Sequence, residues 1–250
     1  MAKNKLQKFA QMETFSNVFQ CGAQDAQKRE TLKQMAGCWR SAYFHNENPI
    51  VLELGCGRGE YTVQLAQLFP DKNFIGVDIK GARMWAGAKQ ALETQLTNVA
   101  FLRTNIELMN DFFAHAEVDE LWITFPDPQM KKATKRLTSS FFLQRYQDIL
   151  KDNGIVNLKT DSPFLYNYTS ALVELNKLVV DFQTDDLYAS QFVDPIRNIK
   201  THYEEQWLSR GMTIKYIRFF LPSQVDWQEP TEEFERDTYR SYGRNQRSQN

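Results

Sequence analysis

One short turn constrains the fold more than any other feature of this sequence. Glu53-Leu54-Gly55-Cys56-Gly57-Arg58-Gly59 closes an apolar run over residues 50–54 and opens a helical pattern with Tyr61, Leu65 and Leu68 on one face. Alternate glycines allow a tight strand-to-helix turn and a close approach of backbone to ligand. The alternation then continues. Strand patterns at 73–78, 99–102, 120–125 and 154–159 are interleaved with helical patterns at 80–96, 139–151 and 162–177. Strands separated by helices of this length form a parallel sheet covered on both faces. Two last strands, at 178–182 and 213–221, have no clear crossover helix between them and are expected to be antiparallel. The expected architecture is therefore an α/β fold with a mostly parallel seven-stranded sheet, helices on both faces and a terminal antiparallel pair. Residues 1–48 read as a partly helical N-terminal extension, 49–222 as the domain and 223–250 as a polar C-terminal tail.

Composition narrows the function classes. With 42% hydrophobic residues the chain can fill a core, so wholesale disorder is excluded. Lys and Arg number 30 against 31 Asp and Glu, which argues against coating nucleic acid by bulk charge but leaves a local basic patch open. Cys21, Cys38 and Cys56 form no paired motif, and His45, His115 and His202 are widely separated, so neither a disulfide framework nor a metal site is expected. No apolar run approaches the roughly 20 residues of a membrane span. A soluble cytoplasmic protein, monomeric or homodimeric, is the simplest expectation.

In such a sheet, ligands bind beyond the carboxyl ends of the strands. The spacing G-x-G-x-G differs from the G-x-G-x-x-G of dinucleotide sites. Glu53 stands four residues before Gly57, and Asp78 ends the next strand. A carboxylate at Asp78 can accept from both hydroxyls of a ribose, and one at Glu53 can accept from an ammonium group. S-adenosylmethionine offers both and has no phosphate. The pattern resembles the first two motifs of the class I methyltransferases, whose fold is Rossmann-like. A dinucleotide fold with a degenerate fingerprint, and a turn with no ligand, stay open at this point. Asn105, after the third strand, can face an adenine or serve as a plain turn residue.

The fourth strand ends in Phe125-Pro126-Asp127-Pro128, where two prolines stiffen the backbone around one carboxylate. Lys131-Lys132-Ala133-Thr134-Lys135-Arg136 follows, a basic run with no acidic residue that can hold a phosphate backbone or be a solvated loop. Asp161 ends the fifth strand in Lys159-Thr160-Asp161, and Glu204 lies in Thr201-His202-Tyr203-Glu204 before the last strand.

Together, Glu-Leu-Gly-Cys-Gly-x-Gly, Phe-Pro-Asp-Pro with Lys-Lys, Lys-Thr-Asp and Thr-x-Tyr-Glu resemble the bacterial tRNA guanine-N7 methyltransferases. The resemblance runs from about Val51 to Leu221. It implies transfer of a methyl group from S-adenosylmethionine to N7 of the variable-loop guanine of tRNA (position 46). It implies cofactor contacts at Glu53, Gly55, Gly57, Asp78, Asn105 and Asp127, with Asp127 also the catalytic candidate. It implies substrate contacts at Lys131, Asp161, Thr201, His202, Tyr203 and Glu204. Lys132, Lys135 and Arg136 are further candidates for the RNA backbone. Asp161 and Glu204 are expected to read the amino edge of guanine or to secure the loop that does so. The sequence departs from the family pattern at Gln129-Met130, where Trp-Pro is common, and at Ala133-Thr134 inside a shortened basic stretch. A methyltransferase for a small molecule or protein, a non-catalytic RNA-binding module and a nicotinamide-dependent oxidoreductase are the competing readings.

Overall fold

A computed structural model describes residues 2–20, 26–192 and 194–239. Cys21 and residues 240–250 of the tail lie outside the described residues. The strands are β1 (Val18–Gln20), β2 (Ile50–Leu54), β3 (Asn73–Val77), β4 (Val99–Arg103), β5 (Val118–Thr124), β6 (Leu150–Thr160), β7 (Val180–Thr184) and β8 (Lys215–Leu221). The α-helices are α1 (Ala2–Met12), α2 (Ala26–Lys33), α3 (Glu60–Leu68), α4 (Gly81–Glu93), α5 (Ser140–Ile149), α6 (Pro163–Leu175) and α7 (His202–Leu208).

The strands form one sheet in the order β1-β4-β3-β2-β5-β6-β8-β7. Strands β1 to β6 pair in parallel, while β8 runs antiparallel to both β6 and β7. The terminal antiparallel pair is as expected. The count of seven is corrected to eight, because β1 adds itself to the outer edge of β4, pairing Val18 with Phe101 and Gln20 with Arg103. Three residues are too few to display a period-two pattern, so this strand exists only through its partner.

Side chains alternate across the sheet and divide the core into two layers. Leu52, Leu54, Ile75 and Val77 face one layer, where Phe142, Tyr146, Leu165 and Tyr168 of α5 and α6 cover them. Val51, Phe74, Val99 and Phe101 face the other, under Tyr61, Leu65, Met84 and Ala88 of α3 and α4. Glu53 and Lys159 share faces with Val51 and Trp122 respectively, so two ionisable groups of the central strands point into the second layer. α1 closes that layer: Met12 is buried in it, and Trp85 Nε1 of α4 donates to Gln11 Oε1 at 2.8 Å.

The order of strands reverses between β2 and β5. This is the topological switch point at which open α/β sheets bind ligands.

Candidate active site

Five neighbouring strand ends carry the candidate residues, in the spatial order Asn105 after β4, Asp78 after β3, the glycine turn after β2, Asp127 after β5 and Asp161 after β6. At about 4.8 Å per strand spacing, the row is roughly 19 Å long.

The glycine turn is built by backbone geometry. Gly55, Gly57 and Gly59 have φ of 79°, 56° and 72°, a region that L side chains enter only with strain. A methyl group added to Gly55 would meet nothing within 4 Å, and one on Gly57 only the Gly55 carbonyl at 3.9 Å. The space in front of the turn is therefore open to a ligand. Behind it the packing is tight, since a Cβ on Gly59 would stand 2.6 Å from the Phe101 ring.

Two carboxylates frame this cradle. Asp78 accepts from Gly57 N through Oδ2 (2.9 Å) and from Lys80 N through Oδ1 (2.7 Å), which ties the turn to the neighbouring strand end. Glu53 is buried. It accepts from Thr62 N (2.9 Å), from Thr62 Oγ1 and from Thr124 Oγ1 (2.5 Å). Burial pushes its carboxyl up to about 7, although the threonine hydrogen bonds pull the other way. A carboxylate held so close to neutrality gains from any cation placed before it. Thr62 and Thr124 carry no signal in the sequence: Thr62 reaches Glu53 from the first turn of α3, and Thr124 only when β5 is set beside β2, with Leu54 opposite Ile123.

Asp127 is exposed, and its backbone is held unusually. Phe125 and Gln129, on either side of Pro126-Asp127-Pro128, have φ of 47° and 48°. Such non-glycine residues cost about 1–3 kcal/mol each and persist where the surroundings over-determine them. Phe125 N donates to Lys159 O at 2.8 Å and Gln129 N to Asp127 Oδ1 at 3.1 Å. Asn105 is also exposed, at the start of a short 3-10 turn.

The basic run divides in two. Lys131 and Lys132 are exposed. Lys135 pairs with Glu107 at 2.9 Å. Arg136 corrects the expectation of a backbone-binding hand: it is buried, with its guanidinium 4.3 Å from the Tyr168 ring centroid and 4.8 Å from that of Phe164. It donates to the carbonyls of Gln129 and Met130 at 3.4 Å, so it closes the loop from inside. Met130 packs against the core.

The segment 201–204 comes to the same edge. Thr201 caps α7 by accepting from Glu204 N at 3.2 Å, and His202 N donates to Glu60 Oε2 at 3.0 Å, just beyond the glycines. His202 and Tyr203 are exposed. Glu204 is fully buried and forms an ion pair of 2.9 Å with Lys159, also fully buried; Tyr188 Oη donates to the same oxygen at 2.5 Å. The pair ties the first turn of α7 to the end of β6. Burial lowers the Lys159 ammonium below its ordinary range, and Glu204 opposes that shift. In the sequence Lys159 is only part of a motif; a lysine next to the last residue of a strand, on the inward face, is the signal that marks it.

Asp161 is buried at the end of β6, and Tyr239 Oη donates to its Oδ2 at 2.6 Å. Residues 223–239, expected to be a polar tail, form a docked strap. Val225, Trp227 and Phe234 pack against the core, while Glu229 accepts from Ser140 N and Asp237 from Phe164 N, at the first turns of α5 and α6. Among the described residues, no group of His, Cys, Asp or Glu is arranged to hold a metal ion, and no helix is long and apolar enough to cross a membrane.

A family model described as "Putative methyltransferase" matches residues 47–217. A tRNA (guanine-N(7)-)-methyltransferase of Bacteroides fragilis is 57% identical over 248 residues, covering 99% of this chain and 98% of the relative. One of Porphyromonas gingivalis is 59% identical over 240 residues, covering 95% and 98%. Among solved structures, a 30S ribosomal A1408 methyltransferase from an uncultured bacterium superposes with a TM-score of 0.52 at 17% identity, covering 70% of this chain and 89% of its own. That last likeness is one of fold.

Proposed function

Because the chain belongs to the tRNA (guanine-N(7)-)-methyltransferase family, we propose that its row of strand ends seats S-adenosylmethionine and one tRNA guanine in a single line. The order of the row carries this reading. Asn105, Asp78, the Gly55–Gly57 cradle with Glu53, Asp127 and Asp161 follow one another along the edge as adenine, ribose, amino-acid group, methyl group and guanine would. When bound, S-adenosylmethionine supplies a methyl carbon on a sulfonium that guanine N7 attacks with its lone pair, the carbon–sulfur electrons returning to sulfur.

The chain's residues then have positioning and electrostatic work. N7 carries no proton, so no general base is needed at the nucleophile. Positive charge moves onto the purine as the bond forms, and a carboxylate held in place beforehand stabilises it. Asp127, fixed between its two strained neighbours, is the group we assign to that position. The donors on guanine N1 and N2, absent from adenine, suit carboxylate acceptors, and Asp161 lies one strand further along. Tyr203 offers a ring for stacking, and Lys131 and Lys132 offer charge to the RNA backbone. The guanine modified is the variable-loop guanine, and the enzyme works in the cytoplasm.

The experiment follows methyl transfer from labelled S-adenosylmethionine to a tRNA transcript and to the same transcript carrying 7-deazaguanine. The guanine transcript is expected to accept the label and the 7-deaza transcript to accept none. Asp127→Ala is expected to lower kcat about 10–150-fold while S-adenosylhomocysteine still binds. Equal labelling of both transcripts, or undiminished turnover in Asp127→Ala, contradicts the reading.

A further inference from the structure

Glu60, the first residue of α3, reaches from the glycine turn to the segment that opens α7. Its Oε2 accepts from His202 N at 3.0 Å, and Arg58 Nε stands 3.1 Å from its Oε1. One side chain thus joins two parts of the chain 142 residues apart. The neighbouring Gly59 is packed against Phe101 and Gly87, which fixes the root of that side chain. The first N–H groups of a helix have no partner within it. In α7, Thr201 Oγ1 takes the N–H of Glu204, and the N–H of His202 is left to Glu60. The segment therefore has two anchors. The buried Glu204–Lys159 pair holds it from beneath, with Lys159 Nζ also donating to Ile199 O at 2.9 Å, and Glu60 holds it at the rim. His202 and Tyr203 carry its exposed side chains. A carboxylate beside a surface that receives RNA repels phosphate, so charge alone gives no reason for Glu60 to be there. The hydrogen bond to His202 N gives one.

We propose that Glu60 is a positioning residue for tRNA binding, its carboxylate fixing the start of α7 against the glycine turn so that His202 and Tyr203 are in place beside the cofactor site before the RNA arrives. The inference rests on the functional reading above. A segment already in place spares the ordering cost that binding would otherwise carry.

The test uses the full chain, labelled S-adenosylmethionine and a tRNA transcript, and compares Glu60→Ala with Glu60→Gln. Both variants remove the same negative charge from the first turn of α3, so an effect of charge or of helix stability is common to them. Only the glutamine keeps an oxygen that can accept from His202 N. The expected KM for tRNA is about tenfold higher in Glu60→Ala and at or below the wild-type value in Glu60→Gln. The kcat and the Kd for S-adenosylhomocysteine stay at wild-type values in both. A second pair of variants removes the hydrogen bond from its other end. His202→Ala keeps the backbone N–H and His202→Pro lacks it. Proline suits the first position of a helix, and Thr201, extended at φ −78° and ψ 157°, accepts a proline after it. His202→Pro is expected to raise KM for tRNA relative to His202→Ala by the same factor as Glu60→Ala does relative to wild type. A wild-type KM in Glu60→Ala, a rise shared equally by Glu60→Gln, a matching loss of affinity for S-adenosylhomocysteine, or equal KM values in the two His202 variants overturns the proposal. Each of these results leaves the functional reading standing, provided the wild type methylates tRNA; a wild type inactive on tRNA overturns that reading itself.

Discussion

At the scale of single residues, Glu53 makes the sharpest statement. Its carboxyl titrates near 4.5 in an unfolded chain and is pushed up to about 7 in the fold, chiefly by burial. Between those values the native state holds a proton that the unfolded state has lost, so this contribution to stability is full below about pH 4.5 and disappears as pH rises through 7. The span corresponds to about 3 kcal/mol. In Glu53→Gln the ligand-free protein is expected to lose that part of its pH dependence, read by urea unfolding from pH 5 to 8. Ligand binding reverses the benefit of the proton, because an ammonium group favours the charged form. The affinity for S-adenosylhomocysteine, whose amine stays protonated over the range, is expected to rise from pH 6 to pH 8 in the wild type and to stay flat in Glu53→Gln. A flat wild-type profile would remove Glu53 from the cofactor's ammonium. Such a residue is half legible in sequence: its place before the glycines is visible, but the threonines that hold it, Thr62 and Thr124, belong to other elements.

At the scale of elements, the loop after β5 and the helix α7 divide the labour between surface charge and buried anchors. Lys131, Lys132 and Lys135 are exposed, the last paired with Glu107, while Arg136 fastens the loop over Phe164 and Tyr168. Neutralising Lys131 and Lys132 together is expected to raise KM for tRNA and to flatten its salt dependence, by about 0.7–0.9 in log–log slope for each phosphate no longer neutralised. Arg136→Ala is expected to lower Tm and raise KM with the salt slope unchanged; a flattened slope would return Arg136 to the RNA surface. Glu204 and Lys159 form the second anchor. Removing one partner of a buried pair typically costs about 3–5 kcal/mol, because the other charge is left uncompensated. Lys159→Met is expected to cost that much in urea unfolding, and Lys159→Met with Glu204→Leu to cost less than the single change; additive losses would show that the two charges are not coupled. The motif spelling placed all these residues near the site. It could not tell which cations face solvent, because a run of like residues carries no mark of which ones the aromatic rings of α6 will cover.

At the scale of the whole molecule, near-neutral charge hides a division of labour. Carboxylates stand along the ends of neighbouring parallel strands, and three exposed lysines, Lys131, Lys132 and Lys135, lie in the loop after β5. The parallel order of β2 to β6 was legible because each strand carries its own apolar run and most crossovers their own helix. The ends of the chain were not, because their stability is borrowed. Val18–Gln20 is a strand only beside β4, and the strap is held by caps from Glu229 and Asp237 on helices far away in sequence. Polar residues that look like a solvated tail are, in place, the acceptors for the first turns of α5 and α6. The fold thus brings its C-terminal segment to the same edge as the glycine turn. The most direct measurement of the central claim is to methylate an unmodified tRNA transcript with this protein and locate the product by cleavage of the strand at N7-methylguanosine. The account predicts a single cleavage at the variable-loop guanine, lost when that guanine is replaced by adenine. Label on any atom other than a guanine N7, or cleavage that survives the replacement, would contradict it.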